Sequence, residues 1–357
     1  MGASGLASWR RAAIGLVAAL MGGCVQPLPT GPVARVVGEG IIVCPAPTER
    51  CELSGATLAA GRLLLVNDRA VSGKVGDSVL TIAPTTFAPR VDARFQAGLP
   101  PLPAEKLEAI TTTPDGRHVF ATTSFDRPDP DRFNVLLTWP EGRPQAARVL
   151  GSLALRAQLR AALASASVPD GPAYFKIEGL AALPDRLLVG VRETGRTYQD
   201  FSFTLTVLSL PWRLEDGVPV LAGPPRMVWR ADPARLPDLP KTPIGLSELA
   251  YDAARERLWL LTSVEQGEAV DGVAGYLWTL DLAALASGLP PVVVRGADGR
   301  PLLFTHKPEA LAILPDRRLL VVHDDDRRAT LVPDPVTGTR RPRQQTETLY
   351  QILSVAD

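Results

Sequence analysis

Short apolar runs separated by turn residues fill most of the chain, and one arrangement of them recurs. In Lys176–Gly190, an apolar run leads through Pro184 and Asp185 into a second apolar run. Related segments begin at Lys106, at Lys307, near Leu246 and, more faintly, at Leu53. Two strand-like runs joined by a tight turn and repeated at a near-fixed spacing are typical of a repeat architecture.

This repeat predicts an all-β fold, a β-propeller in which each unit forms the inner part of one blade. Numbered from the unit at Leu53, the five units favour five blades, and a sixth blade within the Pro-rich segment 211–240 is the alternative. The strand-like segment 34–43 is expected to complete the last blade and so close the ring. The one helix candidate, 152–164, lies between blades two and three.

The first 23 residues have the pattern of an export signal. Arg10 and Arg11 precede an apolar run, 12–21, that is too short to cross a bilayer. The run leads into Gly22-Gly23-Cys24, which resembles the lipidation motif of bacterial lipoproteins. We therefore predict a lipoprotein signal peptide over 1–23, a tether over 24–33 and a single propeller domain over 34–357. Cys24 would hold the protein to the bacterial cell envelope, facing the periplasm with the outer membrane favoured; an ordinary secretory signal is the alternative.

The three cysteines fit an exported chain. Once Cys24 is lipidated, Cys44 and Cys51 remain as an even pair in an oxidising compartment. We predict that they form a disulfide. Closing so short a loop stabilises the folded state by only about 2–3 kcal/mol.

Composition and motif content exclude several classes of function. The 38 basic and 38 acidic residues give a formal net charge of zero, whereas nucleic-acid binding requires a basic stripe. The sequence contains no complete Gly-x-Ser-x-Gly elbow, no His-Glu-x-x-His motif and no phosphate-binding Gly-rich loop. Any catalysis must therefore come from side chains that the fold brings together at the channel mouth.

Lysine is rare in this arginine-rich chain and is concentrated at the repeat. Five of the 38 basic residues are lysines, and three of them stand two residues before a glutamate of the repeat. The pairs are Lys106 with Glu108, Lys176 with Glu178, and Lys307 with Glu309, and Glu248 is the fourth glutamate. We expect the four glutamates to converge at one mouth of the propeller channel, with the lysines beside them.

Four carboxylates around one axis repel each other unless a counter-charge is present. The sequence offers two counter-charges, namely the lysines as ion-pair struts between blades, or a divalent cation. Calcium, with its about six to eight oxygen ligands, suits such a site better than zinc, because only three histidines occur. Calcium is therefore the candidate cofactor, and the four glutamates are its candidate ligands.

The ends of the second strands share this face of the propeller and supply further candidates. Asp68, Arg192 and Asp324 stand there, and with Lys106, Lys176 and Lys307 they are the candidate ligand-binding residues. His306 and His323 fall on the same face and are candidate general bases, because imidazole exchanges protons near neutral pH. A packing role for both histidines is the alternative.

Lys-x-Glu-Gly-Leu followed by an apolar strand, as in Lys176–Gly190, resembles secreted propellers grouped as phytase-like or "esterase-like activity of phytase", and related propeller families of unknown function. The resemblance covers most of residues 50–357. It implies calcium-assisted hydrolysis of esters or phosphate esters, with Glu108, Glu178 and Glu309 in the matching positions. Blade one lacks the glutamate and blade four lacks the lysine. The Glu-Gly start is also similar to metal-dependent lactonase propellers, in which such a glutamate binds the ion.

Two hypotheses about function follow. The first is a lipid-anchored cell-envelope propeller that binds a small molecule or a protein partner on its acidic channel-mouth face. The alternative is a calcium-dependent hydrolase of esters or phosphate esters that uses the same mouth.

Overall fold

The computed structural model describes residues 31–69, 76, 78–82, 87–236, 243–265, 272–326 and 328–356. The predicted signal peptide and most of the predicted tether, including Cys24, lie outside these residues. Within them, no helix is long and apolar enough to cross a membrane.

Five small sheets form a ring, which is a five-bladed β-propeller as the repeat predicts. Blade one contains Leu53–Ala59, Arg62–Asn67, Val79–Ile82 and Arg94–Phe95. Blade two contains Leu107–Thr112, His118–Thr123, Leu136–Pro140 and Arg148–Gly151. Blade three contains Tyr174–Ala182, Arg186–Thr197, Asp200–Glu215, Val218–Leu221 and Arg226–Ala231. Blade four contains Gly245–Asp252, Arg257–Glu265, Val273–Asp281, Val292–Val293 and Leu303–Phe304. Blade five contains Pro308–Ile313, Leu319–His323, Glu347–Ala356 and Val33–Val43.

The N-terminal strand closes the ring as predicted. Val33–Val43 pairs antiparallel with Glu347–Ala356 and so becomes an outer strand of the last blade. Arg90–Asp92 adds to it in parallel. Hydrogen bonds between the two ends of the chain thus hold the first and last parts of the ring together.

The described part of segment 211–240 does not form a sixth blade. Its two strands, Val218–Leu221 and Arg226–Ala231, both pair with Asp200–Glu215 of blade three. A separate two-stranded hairpin, Leu331–Pro333 with Arg340–Pro342, lies between the second and third strands of blade five.

Neighbouring blades pack through buried apolar side chains, as between blades three and four. Leu188 and Leu205 of blade three share one cluster with Leu246 and Trp278 of blade four. Gly190 makes this approach possible, because a Cβ there would lie 2.4 Å from Leu246 Cδ2. A glycine within a strand often marks such a close contact.

The predicted helix is present as Leu153–Ala162, after Ser152. The Ser152 side chain makes no capping hydrogen bond. Leu155 and Leu159 bury the apolar side of the helix in the cluster shared by blades two and three. A short second helix, Leu282–Ala286, and three 3-10 turns were not predicted; the turns are Asp131–Phe133, Pro144–Ala146 and Pro233–Arg235.

The predicted disulfide between Cys44 and Cys51 is confirmed, with 5.5 Å between the two Cα atoms. It joins the end of the closing strand to the start of blade one. We call the face on which the first strands begin and the second strands end the glutamate face. This disulfide lies on that face, whereas Val33 lies on the opposite one.

Candidate functional site

A one-residue β-bulge interrupts the first strand of every blade. The register against the second strand shifts by one residue at each bulge. The bulged residues are Ser54, Glu108, Glu178, Ser247 and Glu309. A bulge re-aims the side chain of its extra residue. In blades two to five, the bulge side chains contact one connected set of lysine and arginine side chains.

Glu248 is not equivalent to the other three repeat glutamates, contrary to the expectation from the sequence. Blade four pairs Leu246 with Thr262 and Glu248 with Leu261, so Ser247 occupies the bulge. Glu248 Oε1 instead accepts hydrogen bonds from the backbone N–H groups of Leu249, at 2.8 Å, and Leu180, at 3.2 Å. Burial raises the pKa of Glu248 well above its ordinary value. Glu248 therefore joins blade four to the backbone of blade three.

The three bulge glutamates belong to a chain of ion pairs that joins blades two, three and five. Lys106 Nζ lies 3.0 Å, and Lys176 Nζ 3.5 Å, from Glu108 Oε1. Lys176 Nζ also contacts Glu178 Oε1, and Arg192 Nη1 lies 3.4 Å from Glu178 Oε2. Arg192 Nη1 and Lys307 Nζ then lie 3.6 and 3.3 Å from Glu309 Oε1. We call these seven residues the ion-pair chain.

Arg192 is the hub of the ion-pair chain. A second bulge, on the second strand of blade three, lies at Arg192, and its side chain is only 1% exposed. Its guanidinium donates to the hydroxyls of Ser247, at 2.9 Å, and Ser263, at 2.5 Å, and lies 2.8 Å from Glu265 Oε1. It also lies over the Phe203 ring, 5.0 Å from the centroid. Arg192 is thus a buried link among blades three, four and five, where the sequence suggested a ligand contact.

The Lys307 ammonium likewise has protein partners for all of its N–H donors. Its ammonium lies 2.8 Å from Glu265 Oε1, 3.2 Å from Asp326 Oδ2 and 3.3 Å from Glu309 Oε1. Three carboxylates match the three N–H donors of an ammonium group. Burial opposes its charge, but Glu309 and Glu265 raise the pKa of Lys307 well above its ordinary value. Lys307 therefore acts as an internal strut.

The pKa values of two buried carboxylates of the ion-pair chain, Glu178 and Glu309, shift in opposite directions. Burial opposes ionisation of Glu178, but Arg192 and then Lys176 lower its pKa to about 2. Burial and the neighbouring Glu178 carboxylate raise the pKa of Glu309. Two close carboxylates seldom both ionise without enough counter-charge, and Glu178 is the one held ionised.

Each bulge glutamate contacts a lysine or arginine nitrogen through at least one of its carboxylate oxygens. These positive charges disfavour a further cation beside the same oxygens. Among the residues that the structure describes, no three His, Cys, Asp or Glu side chains are grouped to hold a metal ion. The structure thus supplies the lysine and arginine counter-charge that the sequence offered as one of two alternatives.

Asp68 and Asp324 follow the second strands of blades one and five, and among the described residues neither forms a direct ion pair with the ion-pair chain. Their nearby charges include Glu108 and Lys106 for Asp68, and Lys307 for Asp324. The blade one bulge carries Ser54, whose hydroxyl donates to Leu107 O at 2.7 Å. Asp324 Oδ1 accepts from the Asp326 N–H at 2.8 Å. Burial is the main cause that raises the pKa of both aspartates well above its ordinary value.

The two candidate histidines have different surroundings. His306 Nδ1 donates to Asp325 Oδ2 at 2.5 Å, and Asp325 Oδ1 accepts from the Lys307 N–H at 2.9 Å. Burial opposes ionisation of Asp325, but the His306 hydrogen bond lowers its pKa to about 2. His323 is buried, and its Nε2 donates to Gln351 Oε1 at 3.1 Å. Only His306 combines partial exposure with a carboxylate that orients its ring.

His323 is expected to make the protein less stable in mild acid. Burial and then His306 lower the pKa of His323 from 6.5 to about 4. The unfolded chain therefore takes up a proton that the folded protein does not, and stability is lost as the pH falls from 6.5 to about 4. At about 1.4 kcal/mol per pKa unit, the loss amounts to about 3 kcal/mol.

Urea unfolding at about pH 7 and about pH 4.5 measures this loss. We expect the free energy of unfolding to fall more steeply in the wild type than in His323→Gln. The buried carboxylates are common to both proteins, so their own pH dependence cancels in the comparison. Equal slopes in the two proteins would show that His323 is not the titrating group.

A pocket of about 1030 Å³ lies on the glutamate face between blades two and three. Its lining includes Lys106, Lys176, Asp126, Glu193, Tyr174 and Phe201. We call it the lysine pocket. Of the residues predicted to bind a ligand, only Lys106 and Lys176 line it.

The carboxylates of the lysine pocket are satisfied by protein donors. Glu193 Oε2 accepts from the Tyr174 hydroxyl at 2.6 Å, and Glu193 Oε1 lies 3.4 Å from Arg192 Nε. Asp126 accepts from the Ser124 hydroxyl at 2.8 Å and lies 3.6 Å from Lys106 Nζ. Each of these carboxylates therefore already has two protein partners, and an ionised carboxylate offers a ligand no hydrogen-bond donor.

The lysines of the pocket keep donor capacity. Among the described residues, Lys106 has two carboxylate partners, Glu108 and Asp126, and Lys176 has two, Glu108 and Glu178. An ammonium group has three N–H donors, so each lysine retains one. Their side chains are 22% and 16% exposed.

Sequence reasoning missed the aromatic wall of this pocket. Tyr174 and Phe201 lie with ring centroids 5.9 Å apart, and Tyr198 at the hairpin tip is 69% exposed. The available signal was length: Arg186–Thr197 and Asp200–Glu215 have 12 and 16 residues, whereas the second and third strands of the other blades have 4 to 10. Their extension carries Tyr198 and Phe201 to the pocket.

Comparisons with known proteins concern the fold. No protein-family model and no curated protein matches the chain. Among solved structures, a gluconolactonase from Xanthomonas campestris is 12% identical, with a TM-score of 0.41, over 85% of this chain and 72% of that chain. A member of the DUF4221 family from Bacteroides vulgatus is 6% identical, with a TM-score of 0.42, over 92% and 99%.

Hydrazine synthase from Kuenenia stuttgartiensis is 10% identical, with a TM-score of 0.37, over 76% of this chain. The chain spans 65% of the length of that protein. No family match confirms the phytase-like resemblance, and propeller families of unknown function fit the fold. Because one fold can carry many functions, the residues of the site, and not the fold, indicate the function.

Proposed function

We propose that the protein is a ligand-binding β-propeller of the cell envelope whose site for a small molecule is the lysine pocket. The observation that carries this proposal is the pair of lysine ammonium groups at the pocket, each with an unused donor. Ligand pockets of several hundred Å³ with a few fixed polar groups are the usual sites for small molecules, and this pocket has about 1030 Å³.

The two lysines are well prepared to receive an acceptor. Burial opposes the charge of Lys176, but Glu108 and Glu178 raise its pKa well above the ordinary value. Burial and Glu108 have the same opposed effects on Lys106, whose pKa is also raised. Both groups therefore stay charged over the whole physiological pH range. Because Glu108 and Glu178 hold the two ammonium groups in place, ligand binding needs little further ordering of these side chains.

Ligand-detected NMR with a panel of small carboxylates and phosphates tests the proposal. We expect at least one member of the panel to bind the wild type and to lose most of its affinity in Lys176→Met. Arg62→Met is the matched control, because Arg62 is an exposed cation at the turn between the first two strands of blade one, on the opposite face. Binding that is equal in Lys176→Met and the wild type contradicts the lysine pocket as the site.

Attachment to the envelope through Cys24 is part of the proposal and rests on the sequence pattern alone. We expect Cys24→Ser to move the protein from the membrane fraction to the soluble fraction when cells are fractionated. The Cys44→Ser/Cys51→Ser double variant, which removes the disulfide and keeps Cys24, serves as the control and should leave the distribution unchanged. A Cys24→Ser protein that stays in the membrane fraction contradicts the lipoprotein assignment.

The second candidate function is hydrolysis of esters or phosphate esters. The phytase-like resemblance implies that this hydrolysis depends on calcium. The observation that favours it is the hydrogen bond between His306 and Asp325, because a carboxylate that orients an imidazole is a common device for general base catalysis. We expect any hydrolysis of p-nitrophenyl acetate or p-nitrophenyl phosphate to be lost in His306→Gln and kept in His323→Gln. Equal rates in the two variants remove His306 from the reaction.

A further inference from the structure

We propose that the lysine pocket selects a ring-bearing organic oxyanion, a phosphate or carboxylate attached to a flat apolar ring. This inference rests on the proposed function and specifies its ligand. The two chemical requirements come from different side chains of the lining, the lysine ammonium groups and the aromatic rings.

The charged wall requires an acceptor-rich group. Glu193 and Asp126 already accept hydrogen bonds from protein groups, whereas Lys106 and Lys176 each keep one donor. The two ammonium nitrogens lie 3.0 and 3.5 Å from the same Glu108 oxygen, so they are close neighbours. An oxyanion offers several acceptor atoms in a compact group and can bind both donors at once.

The aromatic side chains of the lining favour a flat apolar group. Tyr174 and Phe201 lie with ring centroids 5.9 Å apart. Phe201 and the exposed Tyr198 line the pocket together with Tyr174. A ring inserted beside them gains stacking or edge-to-face contacts in addition to the area it buries.

The aromatic wall is preformed. Strand pairing continues along the blade three hairpin to the pair Thr197 and Asp200, directly below Tyr198. Gly195 permits this close pairing, since a Cβ there would lie 2.2 Å from Asp200 O. A pocket of about 1030 Å³ greatly exceeds the size of an inorganic phosphate, so an inorganic ion leaves the aromatic wall unused.

Titration with phenyl phosphate, benzoate, inorganic phosphate and phenol separates these requirements. We expect phenyl phosphate or benzoate to bind at least about tenfold more tightly than inorganic phosphate and phenol, because only the first two satisfy both walls. Comparing phenyl phosphate with benzoate shows which oxyanion the lysines prefer. Lys176→Met should weaken every oxyanion.

Tyr198→Ala is the decisive variant, because Tyr198 is exposed at a hairpin tip and its loss leaves the core intact. We expect it to weaken the ring-bearing oxyanions by about three- to tenfold and to leave inorganic phosphate unchanged. Phe201→Leu should act in the same direction. If inorganic phosphate binds as tightly as phenyl phosphate and Lys176→Met weakens both, the ring requirement is wrong and the binding function stands. If no oxyanion depends on Lys176, the proposed function itself fails.

Discussion

Replacing Arg192 by Met is expected to lower the free energy of unfolding by about 3–5 kcal/mol, the range seen when one partner of a buried ion pair is removed. Arg192 neutralises Glu178, whose side chain is 1% exposed, and also contacts Glu265 and Glu309. Without the guanidinium, these carboxylates remain buried with less counter-charge. Two serine hydroxyls, Ser247 and Ser263, also lose their donor. Denaturant unfolding followed by circular dichroism measures the loss.

Arg196→Met is the matched control for Arg192→Met. Arg196 lies four residues further along the same strand, but its side chain is 86% exposed, and exposed substitutions usually change stability by no more than about 0.5 kcal/mol. If Arg192→Met is too unstable to purify, the double variant with Glu178→Leu should recover part of the stability, because it also removes the buried Glu178 carboxylate that has lost its arginine partner. Equal stabilities for the Arg192 and Arg196 variants contradict the role of Arg192 as hub.

The architecture could be predicted because it rests on periodic signals. Five repeats of paired apolar runs gave five blades, and the strand-like segment 34–43 gave the closing strand. Both depend on local patterns that one sequence contains in full. The disulfide could also be predicted, because only one pair of cysteines remained once Cys24 was assigned to lipidation.

The site was only partly predictable, because spacing does not reveal strand register. Glu108, Glu178 and Glu248 stand 70 residues apart each time, yet the blade four bulge falls on Ser247. One residue of difference in a strand turns a side chain to the other face. The pattern of apolar runs is nearly the same for either register, so the sequence alone did not exclude Glu248.

The different roles of the three repeat lysines could not be predicted, because they depend on contacts with residues far away in the sequence. Lys106, Lys176 and Lys307 share one sequence context, but only the first two line the lysine pocket. Lys307 contacts Glu265, at the end of a blade four strand, and Asp326, in the loop after Leu319–His323, and the sequence spacing did not pair either of them with it. The aromatic wall was missed because the ends of long strands project beyond the repeat unit.

Glu178→Gln is expected to lower the free energy of unfolding by about 2–3 kcal/mol, because it removes the charge between Lys176 and Arg192 while both cations keep other carboxylate partners. Arg192 and Lys176 lower the pKa of Glu178 to about 2 against burial. Its contribution is therefore complete above its ordinary pKa of 4.5 and is lost as the pH falls from 4.5 to about 2. Glu215→Gln, an exposed glutamate of the same blade, is the control.

We propose that lysine and arginine side chains, rather than a metal ion, balance the glutamates of the channel mouth. A calcium titration of the melting temperature, run on the wild type and on Glu178→Gln, tests it most directly. An ion that binds only the folded state adds about 2.7 kcal/mol at a hundredfold excess over its Kd. We predict no calcium response in the wild type, and a Glu178→Gln melting temperature that is lowered equally with and without calcium. A wild-type melting temperature that rises with calcium, together with a Glu178→Gln variant that shows neither this rise nor a lower metal-free melting temperature, would contradict the claim.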